Sequence, residues 1–388
     1  QVNGASVNAV TSINLPSNSL SGALPADLVL LGNLETLILT DNAYNQDIAD
    51  LDWTAMTSLR NLNLSSNGFS GDTALFAGAQ SLETLEIASN EFNELSENIG
   101  SLLALRVLDI EDNNFSGVMP SFFSSLPLTV LRLGNNDWTA DRIPVFAYTM
   151  VTLEELSMAN AGLTGNVQGA IQALTSLRIL KLDDNALTGS IPTQIAKLAA
   201  LEELSASKNQ LGGPFPDFSL LTALKRLSLS NNEFTGLLPD NFVDGLEVLN
   251  LARNQVSGQY PSSLITVSIE QVNLSNNLMS GAIPDAIGGS SNLMVLDLSG
   301  NLSPNDSGFS GPIPTILGNL KKLQILNLRS NNLSGTVPDA LGGMESLTFM
   351  DLANNQVTGA APDSICALAP SYLVMDCELT CTCCTDCV

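Results

Sequence analysis

Leucines recur along this chain in a short pattern of apolar and polar positions. The segments "LRNLNLSSNGFSG" from Leu59 and "LQILNLRSNNLSG" from Leu323 share the form L-x-x-L-x-L-x-x-N-x-(L/F)-S-G. Alternate residues of a strand share one face, so each L-x-L segment predicts a short strand with one apolar face. A single copy cannot bury that face, and stability must come from stacking the strands of successive copies.

The frame occurs fifteen times, and most copies are 22 to 25 residues long. The copies begin at Val10, Leu34, Leu59, Leu82, Leu105, Leu128, Leu153, Leu177, Leu201, Leu224, Leu246, Ile269, Leu293, Leu323 and Leu347. The spacing from Leu293 to Leu323 is 30 residues, because six residues are inserted between Asn301 and Phe309. Their polar, Gly- and Pro-containing composition predicts a projecting surface turn.

An asparagine follows almost every predicted strand. The series is Asn18, Asn42, Asn67, Asn90, Asn113, Asn136, Asn185, Asn209, Asn232, Asn254, Asn277, Asn301, Asn331 and Asn355. Ala161 replaces it in one copy. A side-chain amide both donates and accepts hydrogen bonds, so we expect these residues to satisfy backbone groups in their own repeat and the next.

Most copies continue as (S/T)-G-x-(I/V/L)-P, as at 116–120 and 334–338. With the L-x-x-L-x-L-x-x-N frame, this resembles leucine-rich repeat proteins of the 24-residue plant type over residues 10–362. The resemblance implies an α/β-type solenoid, a right-handed superhelix of about 15 coils. It implies mostly parallel β structure with few helices, a concave sheet, and short extra strands at S-G-x-I-P. It also implies recognition of proteins, peptides or glycans, and no enzymatic activity from the fold itself.

The two ends of a solenoid expose a layer of apolar side chains and must be covered. We predict a short lead-in at 1–9, a solenoid at 10–362 with its long repeat at 293–322, and a cysteine-rich cap at 363–388. Plant relatives carry a helix and a cysteine pair before the first strand, and this lead-in has neither. Either the chain was trimmed or another surface covers Val10, Ile13 and Leu15. Head-to-tail self-association would provide that surface.

All six cysteines lie in the last 23 residues, at Cys366, Cys377, Cys381, Cys383, Cys384 and Cys387. We expect three disulfides within the cap, which would require an oxidising compartment. Six cysteines allow fifteen connectivities, although the adjacent Cys383 and Cys384 should have different partners. The alternative, a zinc site, lacks paired C-x-x-C halves. The tail also resembles the cysteine-rich caps of some algal leucine-rich repeat proteins.

The charge of the chain is strongly negative, with 39 acidic and 14 basic residues and a formal net charge of −25. This charge disfavours nucleic acid and anionic membranes as partners. The sequence contains no apolar run long enough to span a membrane. Without histidine, a general base would have to be a carboxylate, lysine or thiolate. We therefore expect a secreted or cell-surface protein that is not an enzyme and uses no cofactor or metal.

Basic side chains concentrate on the x positions of L-x-x-L-x-L-x-x, which hold ten of the fourteen. The first x position runs Glu35, Arg60, Glu83, Arg106, Thr129, Glu154, Arg178, Glu202, Lys225, Glu247 and Glu270. These charges form either a surface salt-bridge ladder or a recognition stripe. Later repeats place apolar residues at such positions, either as a contact site or as packing under the tail. The candidate ligand-binding residues are Arg106, Arg132, Arg178, Lys181, Lys225, Arg226, Val248, Met294, Val295, Ile325 and Phe349.

Six N-x-(S/T) sequons mark candidate glycosylation sites. We expect sugar only on Asn63, Asn114, Asn273, Asn305 and Asn332. The sixth, Asn301, belongs to the asparagine series and should be buried.

Surface recognition is the function that these features favour, of the receptor-ectodomain or adhesion type, with a protein, peptide or glycan ligand. The alternative is a structural subunit that assembles head to tail in an extracellular matrix or filament.

Overall fold

The L-x-L segments form short parallel strands, one for each of the fifteen repeats, in a computed structural model of the chain. The structure describes residues 9–303, 306–377 and 379–387. The chain divides into two units. Unit 1 contains the residues up to 165 together with 173–186, and unit 2 contains 166–172 and the residues from 187 onward. We call the parallel sheet of L-x-L strands in each unit its main sheet, and the strands at S-G-x-I-P its flank strands.

Unit 1 contains eight main-sheet strands, and within the unit the strands of neighbouring repeats pair in parallel. The central leucine of each strand from Leu37 onward is buried, since it points into the stack. The strands are Ser12–Asn14, Thr36–Ile38, Asn61–Asn63, Thr84–Glu86, Val107–Asp109, Val130–Arg132, Glu155–Ser157 and Ile179–Lys181.

The rest of each repeat in unit 1 forms a flank strand and usually a 3₁₀ helix. The flank strands are Ser21–Gly22, Ala43–Asp47, Gly68–Asp72, Glu91–Glu94, Ser116–Gly117, Asp137–Trp138, Asp141–Arg142 and Leu163–Gly165. The 3₁₀ helices are Ala26–Leu30, Ile48–Asp50, Trp53–Ala55, Thr73–Gly78, Glu97–Ser101, Ser121–Ser125 and Val145–Thr149. The chain passes between the two units three times: after Gly165, within the 3₁₀ helix Gly169–Ala173, and within the flank strand Ala186–Gly189.

The main sheet of unit 2 contains seven repeat strands and two strands from the tail, all paired in parallel. The repeat strands are Glu203–Ser205, Arg226–Ser228, Val248–Asn250, Gln271–Asn273, Val295–Asp297, Ile325–Asn327 and Phe349–Asp351. The tail strands are Tyr372–Met375 and Asp386–Cys387. The cysteine-rich tail therefore continues the sheet as well as ending it.

Unit 2 repeats the same order of flank strands and 3₁₀ helices. Its flank strands beyond Ala186–Gly189 are Gln210–Pro214, Glu233–Leu237, Gln255–Gly258, Leu278–Met279, Gly281–Ala282, Phe309–Pro312, Asn332–Thr336 and Gln356–Thr358. Its 3₁₀ helices are Thr193–Lys197, Ser262–Leu264, Asp285–Gly289, Thr315–Asn319 and Asp339–Gly343. The insertion forms an antiparallel pair, Leu302–Ser303 with Asp306–Ser307. Parallel strands with a single described α-helix, Asp363–Leu368, confirm the expected fold class.

The asparagine series forms a hydrogen-bonded ladder, but in the direction opposite to the one expected. The Nδ2 of Asn113 donates to Ile110 O of its own repeat and to Ile87 O of the preceding repeat. Its Oδ1 accepts from Phe92 N, also in the preceding repeat. From Asn42 onward the asparagines join their own repeat to the preceding one, while Asn18 in the first repeat donates to Pro16 O of its own repeat. The prediction of bonds within the same repeat was right, and the prediction of bonds to the next repeat was wrong. The physical reason is that the carbonyl groups within reach of each amide, such as Ile87 O at 2.9 Å from Asn113 Nδ2, belong to its own repeat and the preceding one.

Three disulfides hold the tail together, as expected: Cys366–Cys383, Cys377–Cys387 and Cys381–Cys384. The adjacent Cys383 and Cys384 have different partners, which confirms that prediction. The four thiols that a zinc site would have used, those of Cys381, Cys383, Cys384 and Cys387, all take part in these disulfides. Asp376 links the tail to the last repeat, because its carboxylate accepts from the backbone N–H groups of Asn354 and Asn355.

Candidate functional site

The face of each main sheet opposite the buried leucines presents three columns of side chains. The first column holds the residue before each strand, the second column the first strand residue, and the third column the third strand residue. Parallel pairing in register places members of a column on neighbouring strands, about 4.8 Å apart. The candidate residues of the sequence lie in these columns.

Arg132 is the centre of a charged cluster in the third column of unit 1. Its Nη1 lies 2.9 Å from Asp109 Oδ2. Its Nε and Nη2 make two parallel bonds to Glu155, of 2.7 and 2.9 Å. The carboxylates of Asp109 and Glu155 are mostly buried. Such a bidentate pair is the strong form of a salt bridge, and hydrogen bonding to Glu155 is the main reason why the pKa of Arg132 is raised.

Two further glutamates extend this cluster. Glu111 accepts a hydrogen bond from Ser157, two repeats away. It can span that distance because Gly134 lies between them, and a Cβ there would approach Glu111 Oε1 to 2.9 Å. Glu86 accepts from Asn63 Nδ2 at 2.8 Å. Burial raises the pKa of Glu111 and that of Glu86, and the charge of Asp109 adds to both shifts.

Some of the charged residues in the first column of unit 1 form exposed ion pairs. Arg60 lies 2.5 Å from Glu83, and Arg178 lies 3.9 Å from Glu154. Arg106 departs from the expected alternation, because its guanidinium makes long hydrogen bonds to backbone carbonyl groups. Lys181 lies at the end of the third column of this unit. The salt-bridge ladder therefore describes some of these residues, while the strongest pairing lies in a column that sequence reasoning did not single out.

Basic residues in unit 2 cluster at the first strands of its main sheet. Lys225 lies 3.7 Å from Glu202. Arg226 lies 3.1 Å from Glu203 and 3.9 Å from Glu247. The side chains of Lys225 and Arg226 are about half exposed, so these ion pairs contribute little to stability.

An apolar stripe occupies the second column of unit 2 beyond Arg226. Strand register places the members in one line, interrupted only by the exposed Gln271. The apolar stripe consists of Val248, Val295, Ile325, Phe349 and Tyr372. The first four are half-buried, and Tyr372 is 39% exposed. Met294 lies beside Val295 in the first column and is also half-buried.

Tyr372 is the member of the stripe that sequence reasoning missed. Its ring stacks on Phe349 with centroids 4.5 Å apart and an angle of 6° between planes. The segment Leu373-Val374-Met375 matches the L-x-L frame in the register of the preceding strand, and this signal could have identified the strand. The tail strand lies beside Phe349 in the same sheet, so the tail extends the stripe instead of covering it.

Carboxylates border the apolar stripe on both sides. Glu247 and Glu270 lie in the first column, and Asp297 and Asp351 lie in the third column. Asp351 pairs with Arg329 at 3.3 Å. Among the described residues, Glu270 and Asp297 have no cationic group within 4.0 Å. The surface around the stripe is therefore acidic.

The sequons occupy different environments. Asn114 is exposed, whereas Asn63, Asn273 and Asn332 are partly buried and hydrogen-bonded to neighbouring side chains. Asn301 is fully buried in the ladder. Asn305 lies outside the described residues.

At the first end of unit 1, Val10 and Leu15 are 49% and 43% exposed, and Ile13 is half-buried. Whether another surface covers them stays a prediction. Within the described ranges, no three acidic or cysteine side chains are grouped to hold a metal ion. No helix in the same ranges is long and apolar enough to cross a membrane.

Comparison with known proteins agrees with this geometry. Family models described as leucine-rich repeat match residues 104–126, 176–198, 223–244 and 314–357. The chain is built from leucine-rich repeats. Curated protein sequences include no match to this chain. The likeness of its tail to algal caps is not tested by these matches and stays a prediction.

Solved leucine-rich repeat structures resemble the chain along nearly its whole length. The ectodomain of the plant membrane receptor kinase GASSHO1/SCHENGEN3 from Arabidopsis thaliana, in complex with CASPARIAN STRIP INTEGRITY FACTOR 2, is 28% identical with a TM-score of 0.81. The alignment covers 94% of this chain and 46% of that ectodomain, so this chain spans less than half of its length.

Two other solved structures show the same fold. A leucine-rich repeat protein of Leptospira interrogans is 25% identical, with a TM-score of 0.68, over 92% of this chain and 94% of that protein. The Arabidopsis receptor kinase HAESA, in complex with the peptide hormone IDA and the co-receptor SERK1, is 24% identical with a TM-score of 0.66. That alignment covers 96% of this chain and 74% of HAESA.

Proposed function

We propose that this leucine-rich repeat protein acts outside the cell by binding a protein or peptide partner through the exposed face of its main sheets, without catalysing a reaction. The observation that carries the proposal is the apolar stripe of unit 2, which leaves large side chains partly exposed in one line. Aligned apolar groups with polar borders are typical of a contact surface.

Two further observations support this function. One similar structure is the ectodomain of a plant membrane receptor kinase in complex with CASPARIAN STRIP INTEGRITY FACTOR 2, and another is a receptor kinase in complex with a peptide hormone. The tail contains three disulfides, which persist in oxidising compartments such as the cell exterior.

Selection from a random peptide library, followed by hydroxyl-radical footprinting of each complex, tests the proposal. Bound peptides should slow oxidation of main-sheet residues such as the half-buried Met294 and the exposed Tyr372. They should leave Leu30 and Val118, which are exposed outside the main-sheet strands, unchanged. Failure to select any peptide, or protection confined to the flank side, would contradict the proposal.

Head-to-tail assembly is the second candidate, favoured by the exposed Val10 and Leu15 at the first end of unit 1. Sedimentation equilibrium of the purified protein separates the two functions. A monomer at micromolar concentration favours recognition, whereas a series of growing oligomers that Ile13→Asp abolishes favours assembly.

A further inference from the structure

The apolar stripe has a defined length and a defined chemical border. Its members run over five strand-to-strand steps from Val248 to Tyr372, or about 24 Å at the spacing of paired strands. An extended segment advances about 3.3 Å per residue, so about seven residues would cover it. The stripe therefore fits a short segment more closely than a broad protein surface.

The acidic residues beside the stripe favour a positively charged segment as its ligand. Glu270 and Asp297 flank Val295 on opposite sides, and in the described part of the chain neither has a cation within 4.0 Å. Arg226 and Arg329 are already paired with Glu203 and Asp351. The full chain carries a net charge of −25, which attracts cations at long range. An acidic partner would be repelled at this surface, whereas Lys or Arg side chains would gain ion pairs.

The far end of the stripe adds a second cation-binding feature. Phe349 and Tyr372 stack in parallel, with centroids 4.5 Å apart, and the Tyr372 ring is 39% exposed. A guanidinium or ammonium group above an aromatic face is attracted by the negative potential of the ring. Aliphatic groups would contact the half-buried Val295 and Ile325 at the middle of the stripe.

We infer that the apolar stripe binds an extended segment of a partner protein, about seven residues long, in which aliphatic or aromatic side chains alternate with Lys or Arg. This inference rests on the proposed function and names its partner chemistry. The acidic border selects for positive charge, and the stripe supplies the apolar contact energy.

Three synthetic seven-residue peptides test this inference on the 388-residue chain. The first alternates leucine with arginine, the second alternates leucine with glutamate, and the third alternates glycine with arginine. The first should bind at least about tenfold more tightly than either of the others, because it alone supplies both apolar contact and positive charge. Equal binding of the glycine–arginine peptide would show that net charge suffices, and would overturn the inference.

Substitutions in the stripe and in its border locate the binding site, and those in the stripe leave the protein charge unchanged. Ile325→Ser and Tyr372→Ser should each weaken binding of the leucine–arginine peptide by about tenfold. The matched control, Leu237→Ser, removes an exposed aliphatic side chain on a flank strand and should leave binding unchanged. Glu270→Gln should weaken the same peptide, since it removes one border charge. Thermal melting confirms that each variant is folded.

The outcomes separate this inference from the proposed function. Binding of the leucine–glutamate peptide at the stripe would overturn the partner chemistry and leave peptide recognition intact. Failure of all three peptides overturns the inference, while the random-library selection decides the proposed function independently. Dimers of the protein alone that Ile325→Ser dissociates would mean that a second copy occupies the stripe, which also overturns the inference.

Discussion

Trp138 donates its indole Nε1–H to the carbonyl oxygen of Leu133 at 2.8 Å, in the repeat just before the one that lacks a ladder asparagine. In the repeat that follows the one with Ala161, the ladder asparagine Asn185 donates to Met158 O of the preceding repeat. An asparagine at position 161 would reach Leu133 O by the same geometry. The tryptophan therefore supplies the donor that Ala161 cannot provide, and the ladder defect is compensated locally.

Trp138→Phe should lower the free energy of unfolding by about 0.5–1.5 kcal/mol, measured in urea. The variant retains an aromatic ring beside Phe115 but loses the N–H, so Leu133 O retains only the 3.3 Å bond from Asn136. The smaller ring would also leave a cavity that lowers stability. Adding Ala161→Asn distinguishes the lost hydrogen bond from the cavity, because it restores only the donor. The double variant should recover part of the loss, and no recovery would contradict the donor role.

Arg132→Met should destabilise the protein by about 1–3 kcal/mol, because it leaves Asp109 and Glu155 charged, mostly buried and unpaired. The matched control is Arg60→Met, whose ion pair with Glu83 is about half exposed and should cost about 0–1 kcal/mol. Urea unfolding measures both. Equal losses would show that the Arg132 cluster is no stronger than a surface pair.

Glu111→Gln should raise the melting temperature at pH 7 by on the order of 1–3 °C. Burial raises the pKa of Glu111, so between the ordinary glutamate value of about 4.3 and the raised value the folded state binds more protons than the unfolded chain. This group therefore makes stability fall as pH rises through that window. The advantage of the variant should vanish below about pH 4, where the carboxyl is protonated in both states.

Glu91→Gln, at an exposed position, is the control for that pH series and should change the melting temperature by less than about 1 °C. A Glu111→Gln variant that is less stable than the wild type at pH 7 would show that the charge itself, and its interaction with Arg132, is favourable.

Removal of Cys366–Cys383 by paired serine substitutions should cost about 3 kcal/mol, since the disulfide closes a loop with a sequence separation of 17. Removal of Cys381–Cys384, with a separation of only 3, should cost less.

In the variant that lacks Cys366–Cys383, hydrogen exchange should show protection lost first in strand Phe349–Asp351 and in the neighbouring tail strand. Initial loss in the first strands of unit 1 would contradict this role of the tail.

Glycopeptide mapping of protein secreted from a eukaryotic host should find sugar on Asn114 and none on Asn301. Asn114 is exposed, whereas the amide of Asn301 is buried and bonded to Leu298 O at 2.8 Å. A glycan on Asn301 would require this ladder rung to open, and would contradict the assignment of the long repeat.

The sequence by itself determined the fold class, the fifteen strands, the buried leucines and the asparagine series. It could do so because a strand has a side-chain period of two, and because the same local pattern, repeated, can bury its apolar face only by stacking. The six cysteines in the last 23 residues also indicated a disulfide-bonded tail.

Only the tertiary structure decided which side chains meet. Asp109, Arg132 and Glu155 lie in three different repeats, and only the register of neighbouring strands places them side by side. The stacking of Tyr372 on Phe349, the pairing of the cysteines and the direction of the asparagine hydrogen bonds were likewise decided only by the tertiary structure. Trp138 is the clearest case, since its compensation of Ala161 depends on a ring orientation that no sequence period specifies. The physical reason is that contacts between repeats depend on distances of a few ångströms across the stack, whereas the repeat pattern specifies only the face on which each residue lies.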